Sequence, residues 1–301
     1  RARDHGLRGA AVMSGRADRP TRSAPVRLLL AYRWGGASLI SLFLSVLSGI
    51  VIGLQYDPAE PFYATTSIEL VIPYGSFWRA LHYYSSQAFF LLLLAHLAVV
   101  LWQNDTRFTR GAWIRLSATL PAALLLLFTG YVLRGDATGE AAGAIAEHIC
   151  LSIPLVGGLI NDLFFDLADS GVRKVYLHHV IGLVVLGGMA AWPHLRRYTA
   201  RWRSHLLLVL ATVGVSAVFA APVEPERFGL LFIAGPWFFL GLQELLRYLP
   251  PFVAGVVLPL APVAILFWLP EGGAGRRGWL LALVLWLFAY AVFTLLCWLR
   301  I

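Results

Sequence analysis

Cysteine and charged residues are both scarce in this sequence of 301 residues. The two cysteines, Cys150 and Cys297, lie in separate segments without CxxC spacing, so the sequence gives no support for a disulfide framework or for covalent attachment of a cofactor. Charged residues make up only 13% of the chain, whereas hydrophobic residues make up 59%. This balance departs from that of ordinary soluble domains and predicts a membrane protein.

Apolar runs of about 20 residues recur along the chain, and that is the length a helix needs to cross a hydrocarbon core of roughly 30 Å. An additional apolar run, 228–249, contains Gly235, Pro236, Glu244 and Arg247, and we interpret it as a re-entrant or interfacial segment. The fold class predicted is an all-α polytopic membrane protein. We predict seven spans, at about 33–55, 80–103, 113–133, 173–194, 205–221, 251–269 and 278–299.

The formal net charge of +8 is distributed between the apolar runs instead of along one face, which argues against nucleic-acid binding. With the amino terminus in the cytoplasm, most of the 24 Lys and Arg residues fall on the cytoplasmic side and most of the 16 acidic residues fall outside. We therefore expect a multi-pass protein of a bacterial inner membrane. In this orientation the second and fourth spans both run from outside to inside.

The sequence predicts three parts. Residues 1–32 are rich in arginine and lack the apolar core of a signal peptide, so we expect a flexible, basic cytoplasmic arm. Residues 33–203 are expected to form a four-helix membrane domain, and residues 204–301 a three-helix membrane domain. The connection 134–172 is too apolar for a solvated tail, and we expect short helices there on the outer surface.

Four histidines in two spans form matched pairs. His82 and His96 are fourteen residues apart in the second span, and His179 and His194 are fifteen apart in the fourth. At 100° per residue, each pair shares one helix face within about 40–60°, whereas His178 lies about 160° from His194. Because the two spans run in parallel, His82 meets His179 at the outer depth and His96 meets His194 roughly 21 Å further in.

Opposed imidazoles from two helices of a bundle are suited to hold a metalloporphyrin between them. Zinc would need three or four converging ligands, and each layer offers only two histidines. A relay of single histidines for protons remains open, as does an anchoring or transport bundle without redox function. The other histidines are expected to be surface, interfacial or supporting residues: His5, His148, His178 and His205.

Further motifs surround these histidines and together they resemble the cytochrome b family of bc-type quinol oxidoreductases. The fifteen-residue step in the fourth span and the four-plus-three arrangement of spans are similar to the plastid-type branch. The four-span cytochrome b family of hydrogenases and formate dehydrogenases is another alternative, but the motifs of this chain argue against it. The motifs are Arg79-x-x-His82, Gly130-Tyr131-Val132-Leu133, Ser152-Ile153-Pro154 and Tyr176-x-x-His179.

The resemblance implies a four-helix di-haem bundle, 33–203, followed by three further transmembrane helices. It implies two non-covalent haem b groups, with a low-potential outer haem iron between His82 and His179 and a high-potential inner haem iron between His96 and His194.

The resemblance also assigns supporting residues. Arg79 is expected to pair with a haem propionate, although a snorkelling arginine at the interface would look the same in sequence. Gly35, Gly49 and Gly130 are expected to let the haem edges approach the first and third spans. Leu116 stands where the family has an inner glycine on the third span.

The chain departs from the family pattern at the outer quinol pocket. Arg134-Gly135 replaces a Pro-Trp pair, and Pro236 stands at the glutamate of a Pro-Glu-Trp-Tyr box. We hypothesise that Glu147 or His148 replaces this proton acceptor, or that the outer pocket no longer oxidises quinol. The candidate residues of this pocket are Tyr131, Glu147, His148 and Trp237.

The function implied is electron transfer, as one subunit of a membrane enzyme complex that uses a quinone or menaquinone as substrate. Expected partners are membrane lipid, a Rieske-type iron–sulfur protein and a c-type cytochrome, which could be multihaem in a non-bifurcating complex. The complex is expected to be a homodimer, and nucleic acid is not expected as a partner.

Overall fold

The computed structural model describes residues 24–103, 108–167, 171–226, 233–269 and 273–301. These ranges are helical and contain no β-strand. The chain divides into two compact units, Arg1–Arg33 and Trp34–Ile301. Most of the predicted basic arm lies outside the described residues, and the described part of its unit contains helix α1 (Ala24–Ala31). The predicted division near residue 203 stays a prediction.

Helices occupy all seven predicted spans. Five are long and apolar enough to cross a membrane, and two, Trp202–Val218 and Val253–Trp268, are shorter apolar helices. The predicted all-helical membrane fold is therefore confirmed. The helices of the seven spans are α2 (Trp34–Gly53), α4 (Gly75–Gln103), α5 (Arg110–Ser117) with α6 (Thr119–Val132), α9 (Arg173–Leu195), α10 (Trp202–Val218), α12 (Val253–Trp268) and α13 (Gly273–Trp298).

Helices α2 and α4 pack closely because α2 presents small residues to its partner. Ser38, Ser41, Ser45 and Ser48 are all buried, and small side chains let two membrane helices approach each other. The hydroxyl of Ser38 donates a hydrogen bond to the carbonyl oxygen of Phe89 on α4, at 3.1 Å. This contact fixes α4, which carries two of the four paired histidines.

Helix α9 contains a π-helical turn. Arg173–Leu177 and Leu183–Leu195 are α-helical, whereas His178–Gly182 form a single π turn between them. A π turn accommodates one residue more than an α turn and often occurs at functional sites. The turn includes His179.

Three shorter helices lie between the spans: α3 (Pro61–Leu70), α7 (Ala137–Leu151) and α8 (Gly157–Phe164). Helices α7 and α8 confirm the helices predicted in the 134–172 connection, whereas α3 was not predicted. Asp136 caps α7, because its side chain accepts a hydrogen bond from the backbone N–H of Gly139.

The described part of the additional apolar run contains only the short, buried helix α11 (Leu240–Leu245) and no spanning helix, whereas residues 228–232 lie outside the described ranges. Gly241 lets α11 lie against α13, since a Cβ atom there would be 2.7 Å from Thr294 Oγ1. The main hydrophobic core joins α6, α7, α9, α11 and α12 and includes Phe128, Val132, Ala142, Val175, Phe239, Leu242 and Ala254.

Candidate functional site

The structure brings together the two histidine pairs that the spacing predicts. The ring centres of His82 and His179 are 6.1 Å apart, and those of His96 and His194 are 6.4 Å apart. A metal ion bonded to a nitrogen of each ring at about 2 Å would hold two imidazole centres roughly 6 Å apart. Both pairs therefore have the separation that a shared metal ion between two rings requires.

Hydrogen bonds fix the tautomer of the outer pair. Nδ1 of His82 lies 2.8 Å from the carbonyl oxygen of Ser45, which can only accept, so Nδ1 carries the proton. Nδ1 of His179 lies 3.0 Å from Thr129 Oγ1, whose own hydroxyl donates to the carbonyl of Leu125 at 2.7 Å. Each Nε2 is thus left with a free lone pair, which is the form that binds a metal.

The π turn in α9 explains the unequal spacing of the two pairs. Fifteen residues of ideal α-helix would rotate His194 about 100° further than the fourteen-residue step of α4 rotates His96. The π turn at His178–Gly182 absorbs one residue, so the fifteen-residue step behaves like one of fourteen. Both histidines of α9 can then face both histidines of α4.

The three predicted glycines lie directly against the paired rings. A Cβ atom would be 2.9 Å from His82 Cε1 at Gly49, 2.9 Å from His179 Cε1 at Gly130, and 3.1 Å from His96 Cε1 at Gly35. At these distances a side chain would displace the ring. Beside the inner pair, the Phe108 ring lies 5.9 Å from that of His194.

The donor set and its surroundings fit haem better than zinc. Over the described residues, no group of three or more His, Cys, Asp or Glu side chains is placed to hold a metal ion. Two neutral imidazoles facing each other, with glycine backbone beside them, are instead residues that would hold a haem between them.

Tyr176 seats the outer histidine of α9. Its hydroxyl donates to the carbonyl of Gly53 at 3.0 Å, and its ring stacks on Tyr56 with centres 5.3 Å apart. Tyr56 in turn donates to the carbonyl of Leu133 at 2.7 Å, and its burial raises the pKa of the phenol well above its usual range. The Tyr-x-x-His motif therefore joins the ends of α2, α6 and α9.

Arg79 is buried and has protein partners. Its guanidinium pairs with Glu69 of α3 at 2.5 Å and donates to the carbonyl oxygens of Pro222, at 3.2 Å, and Ala221. Ser76 supports the pair by donating to Glu69 at 2.6 Å. The expected contact of Arg79 with a propionate stays a prediction, and Glu69 was missed because only the folded chain brings α3 beside α4.

The Arg134 that departs from the family pattern is neutralised by Asp136. The two side chains form an ion pair in which Asp136 is fully buried, and the Arg134 guanidinium also lies 4.8 Å from the ring centre of Tyr131. Asp136 accepts further hydrogen bonds from Thr138 Oγ1 at 2.7 Å and from the backbone N–H of Glu224 at 2.9 Å. In the sequence alone, nothing distinguishes Asp136 beyond its position before a helix.

Gly135 is required in this turn. Its φ of +64° lies in the left-handed region, and a Cβ atom would be 2.5 Å from the backbone nitrogen of Phe62. Arg134-Gly135, which replaces the family's Pro-Trp pair, therefore forms a turn with a left-handed glycine that leads into the N-cap of α7.

A small cavity lies between α7 and the segment that replaces the Pro-Glu-Trp-Tyr box. Its volume of about 10 Å³ has room for roughly one water molecule. Among the described residues, its polar side chains are Thr138 and Gln243, and no described carboxylate lines it. The lining residues are Thr138, Ala141, Ala142, Ile145, Ile233, Ala234, Gly235, Phe239 and Gln243.

The four predicted residues of the outer pocket are separated in the structure, and none of them lines this cavity. Trp237 is 44% exposed and donates through Nε1 to Gln87 at 2.9 Å. Glu147 accepts from the backbone N–H of Leu167 at 2.7 Å, and it lies about 180° around α7 from Thr138. Tyr131 contacts Arg134 instead.

His148 is bound to its own helix, because its Nδ1 lies 2.8 Å from the carbonyl oxygen of Ala144. Neither Glu147 nor His148 lines the cavity, and the hypothesis that one of them replaces the family's proton acceptor stays a prediction.

At the inner end, His205 is buried, which excludes the surface position among those that we expected and agrees with a supporting one. A Cβ atom at Gly36 would lie 2.8 Å from His205 Nε2 and 2.6 Å from the hydroxyl of Tyr198. Neither cysteine forms a disulfide, in agreement with the sequence analysis, and both are buried; burial raises the pKa of the Cys150 thiol.

Comparisons with known proteins agree with this geometry. The sequence model of the family described as cytochrome b/b6/petB matches residues 20–195. Cytochrome b6 of Heliomicrobium gestii is 28% identical over 172 residues, which cover 55% of this chain and 79% of that protein. Cytochrome b of Albinaria caerulea is 20% identical over 293 residues, 84% of this chain and 80% of that protein.

A solved chain titled "Hyperthermophilic respiratory Complex III" has the same fold. It superimposes with a TM-score of 0.63 and 19% sequence identity, over 88% of this chain and 82% of that chain.

Proposed function

Because this chain belongs to the cytochrome b family, we propose that it is the di-haem subunit of a membrane quinol oxidoreductase. In this proposal His82 and His179 bind the outer, low-potential haem b, and His96 and His194 bind the inner, high-potential haem b. The observation that carries the proposal is that both pairs face each other, with ring centres 6.1 and 6.4 Å apart.

When bound, the haems supply reversible one-electron chemistry, and the chain supplies ligands, spacing and a dry environment. The Ser45 carbonyl and the Thr129 hydroxyl hold the outer imidazoles in their metal-binding tautomer. Fourteen residues along α4 separate the two depths by roughly 21 Å, so that two carriers in sequence span most of the hydrocarbon core.

In this proposal electrons move between a quinone or menaquinone pool and a partner on the outer side. The partner would be a Rieske-type iron–sulfur protein, a c-type cytochrome, which could be multihaem, or both. The likeness to a chain titled as part of a respiratory Complex III supports this assignment. A homodimer of the complex, in a bacterial inner membrane, is part of the same proposal.

The purified complex tests the proposal directly. We expect a b-type absorption band after reduction with dithionite, and a redox titration with two steps of equal size. A preparation without such a band would overturn the haem assignment and would favour an anchoring or transport bundle. A haem content of one per chain would overturn the assignment of one of the two pairs.

A second version of the function is favoured by the outer pocket. Pro236 stands in place of the family's glutamate, and no described carboxylate lines the adjacent cavity. In this version the outer haem exchanges electrons with a multihaem cytochrome in a non-bifurcating complex, and quinone reacts only at the inner end. Haem reduction by quinol that stops completely when the inner site is inhibited would favour this version, and reduction that persists would favour the first.

A further inference from the structure

Thr138 is the polar side chain that connects the outer cavity to a buried charge. It is only 8% exposed, it lines the cavity, and its hydroxyl donates to Asp136 Oδ1 at 2.7 Å. Glu147 instead accepts from the backbone of Leu167, Glu244 contacts Tyr248 and Arg300, and neither lines the cavity. Of the two polar side chains that line the cavity, Thr138 and Gln243, Thr138 is the one that donates to a buried carboxylate.

The neighbours of Thr138 determine its polarity. A threonine hydroxyl has one hydrogen to donate and two lone pairs with which to accept. The carboxylate of Asp136 takes the hydrogen. Thr138 can then offer the cavity only its lone pairs, as an acceptor.

Asp136 keeps this polarity fixed because it cannot easily turn away. Its Oδ1 accepts from the backbone N–H of Gly139 at 2.9 Å, and its Oδ2 accepts from the N–H of Glu224 and from Arg134. Four donors therefore hold one fully buried carboxylate. Asp136 acts as the positioning residue for the Thr138 hydroxyl.

The opposite wall is formed by a segment that Gln243 holds in place. Gln243 accepts from the backbone N–H of Gly235 at 2.9 Å and donates to the carbonyl of Ile233 at 2.6 Å. This segment includes the position of the missing glutamate. Between the two walls there is space for one oxygen atom with its hydrogen, which corresponds to one hydroxyl of a larger molecule.

We propose that Thr138 is a specificity-determining residue of the outer pocket, where it accepts a hydrogen bond from a quinol hydroxyl. A quinol has a hydroxyl hydrogen to donate, whereas the corresponding quinone has only a carbonyl oxygen, which an acceptor does not bind. The Thr138–Asp136 pair therefore selects the reduced form of the substrate. This inference rests on the first version of the proposed function.

The test uses the complete complex with its inner quinone site inhibited, and a short-chain quinol as the electron donor. Thr138→Val removes the hydroxyl and keeps the shape, and Thr138→Ser restores the hydroxyl. Thr66→Val is a matched control, since the Thr66 hydroxyl is bound to the carbonyl of Phe62 in its own helix α3. The readouts are the rate of haem reduction, the KM for quinol and the inhibition constant of the product quinone.

We expect Thr138→Val to raise the KM for quinol roughly tenfold, as for the loss of one hydrogen bond, and to leave the quinone inhibition constant unchanged. Thr138→Ser should restore most of the quinol affinity, and Thr66→Val should resemble the wild type. Equal loss of quinol and quinone binding would indicate a structural role and overturn the inference. So would a Thr138→Val complex with unchanged KM.

These outcomes are separable from failure of the proposed function. A wild-type complex that contains two b haems but is not reduced by quinol under these conditions would overturn both the inference and the first version of the function. A wild-type complex that is reduced normally, with an unaffected Thr138→Val variant, would overturn the inference alone.

Discussion

At the outer pair both imidazoles are hydrogen-bonded through Nδ1, to the carbonyl of Ser45 and to the hydroxyl of Thr129. At the inner pair, none of the described residues hydrogen-bonds to the ring of His96 or His194, and an aromatic ring, Phe108, packs beside His194. The separation of the rings is nevertheless almost the same. Helix geometry alone therefore sets the distance, and the hydrogen bonds add orientation at the outer end only.

The surroundings of the two ends also differ, because polar contacts are concentrated at the outer end. The outer end contains two buried ion pairs, Arg79 with Glu69 and Arg134 with Asp136, which attach α3, α7 and the 221–224 segment to the bundle. The inner pair lies beside Gly35 and the aromatic ring of Phe108. We expect substitutions to affect the two ends to different extents, and four experiments test this.

Removing one outer ligand should have the largest effect. His179→Ala should abolish the outer haem and leave the inner one, so that about half of the reduced b-type absorbance remains. His178→Ala is the matched control, because the ring of His178 is bound to the carbonyl of Leu163 and does not belong to the His82–His179 pair. Loss of both haems in His179→Ala, with a stable protein, would show that the two ends are not independent.

Breaking the ion pair between Arg134 and Asp136 should destabilise the outer end of the bundle. Asp136→Asn leaves Arg134 buried without its counter-charge, and we expect a loss of about 3–5 kcal/mol in stability, measured by thermal unfolding in detergent. Asp166→Asn is the control, since its pair with Lys174 is partly exposed and should contribute about 0–1 kcal/mol. Equal losses of stability in the two variants would contradict the expectation that the more buried ion pair contributes more.

A side chain at the glycines should distinguish the ends sterically. Gly130→Leu should displace His179 and weaken outer haem binding by about 1–3 kcal/mol, because a Cβ atom there lies 2.9 Å from the ring. Gly35→Leu should do the same at the inner end with a smaller effect, since the distance is 3.1 Å. Gly188→Leu has open space and serves as control in haem-content measurements; a loss of haem there would exclude a local steric cause.

Removing the Thr129 hydroxyl should give the smallest and most selective change. Thr129→Val should weaken outer haem binding roughly 10–100-fold through loss of ligand orientation, and shift the spectrum of that haem alone. Thr129→Ser should restore it. If the inner haem shifts by the same amount, the hydrogen bond has no local role.

Periodicity and charge distribution were sufficient to predict the helices and the pairing of the four histidines, and the family resemblance implied the glycines beside them. None of these could predict Glu69 beside Arg79, Asp136 beside Arg134, or Thr129 beside His179. These contacts join elements that approach each other only in the folded chain. Helix α3 was missed because it is too short and not apolar enough to resemble a membrane span.

The π turn in α9 has a consequence for the history of the sequence. One additional codon in this helix would normally rotate everything beyond it by about 100° and separate one ligand from its partner. A turn that widens to hold the additional residue limits the disturbance to five positions, His178–Gly182. Lineages with fourteen-residue and fifteen-residue steps can therefore be connected by a single insertion or deletion that keeps both pairs intact at every stage.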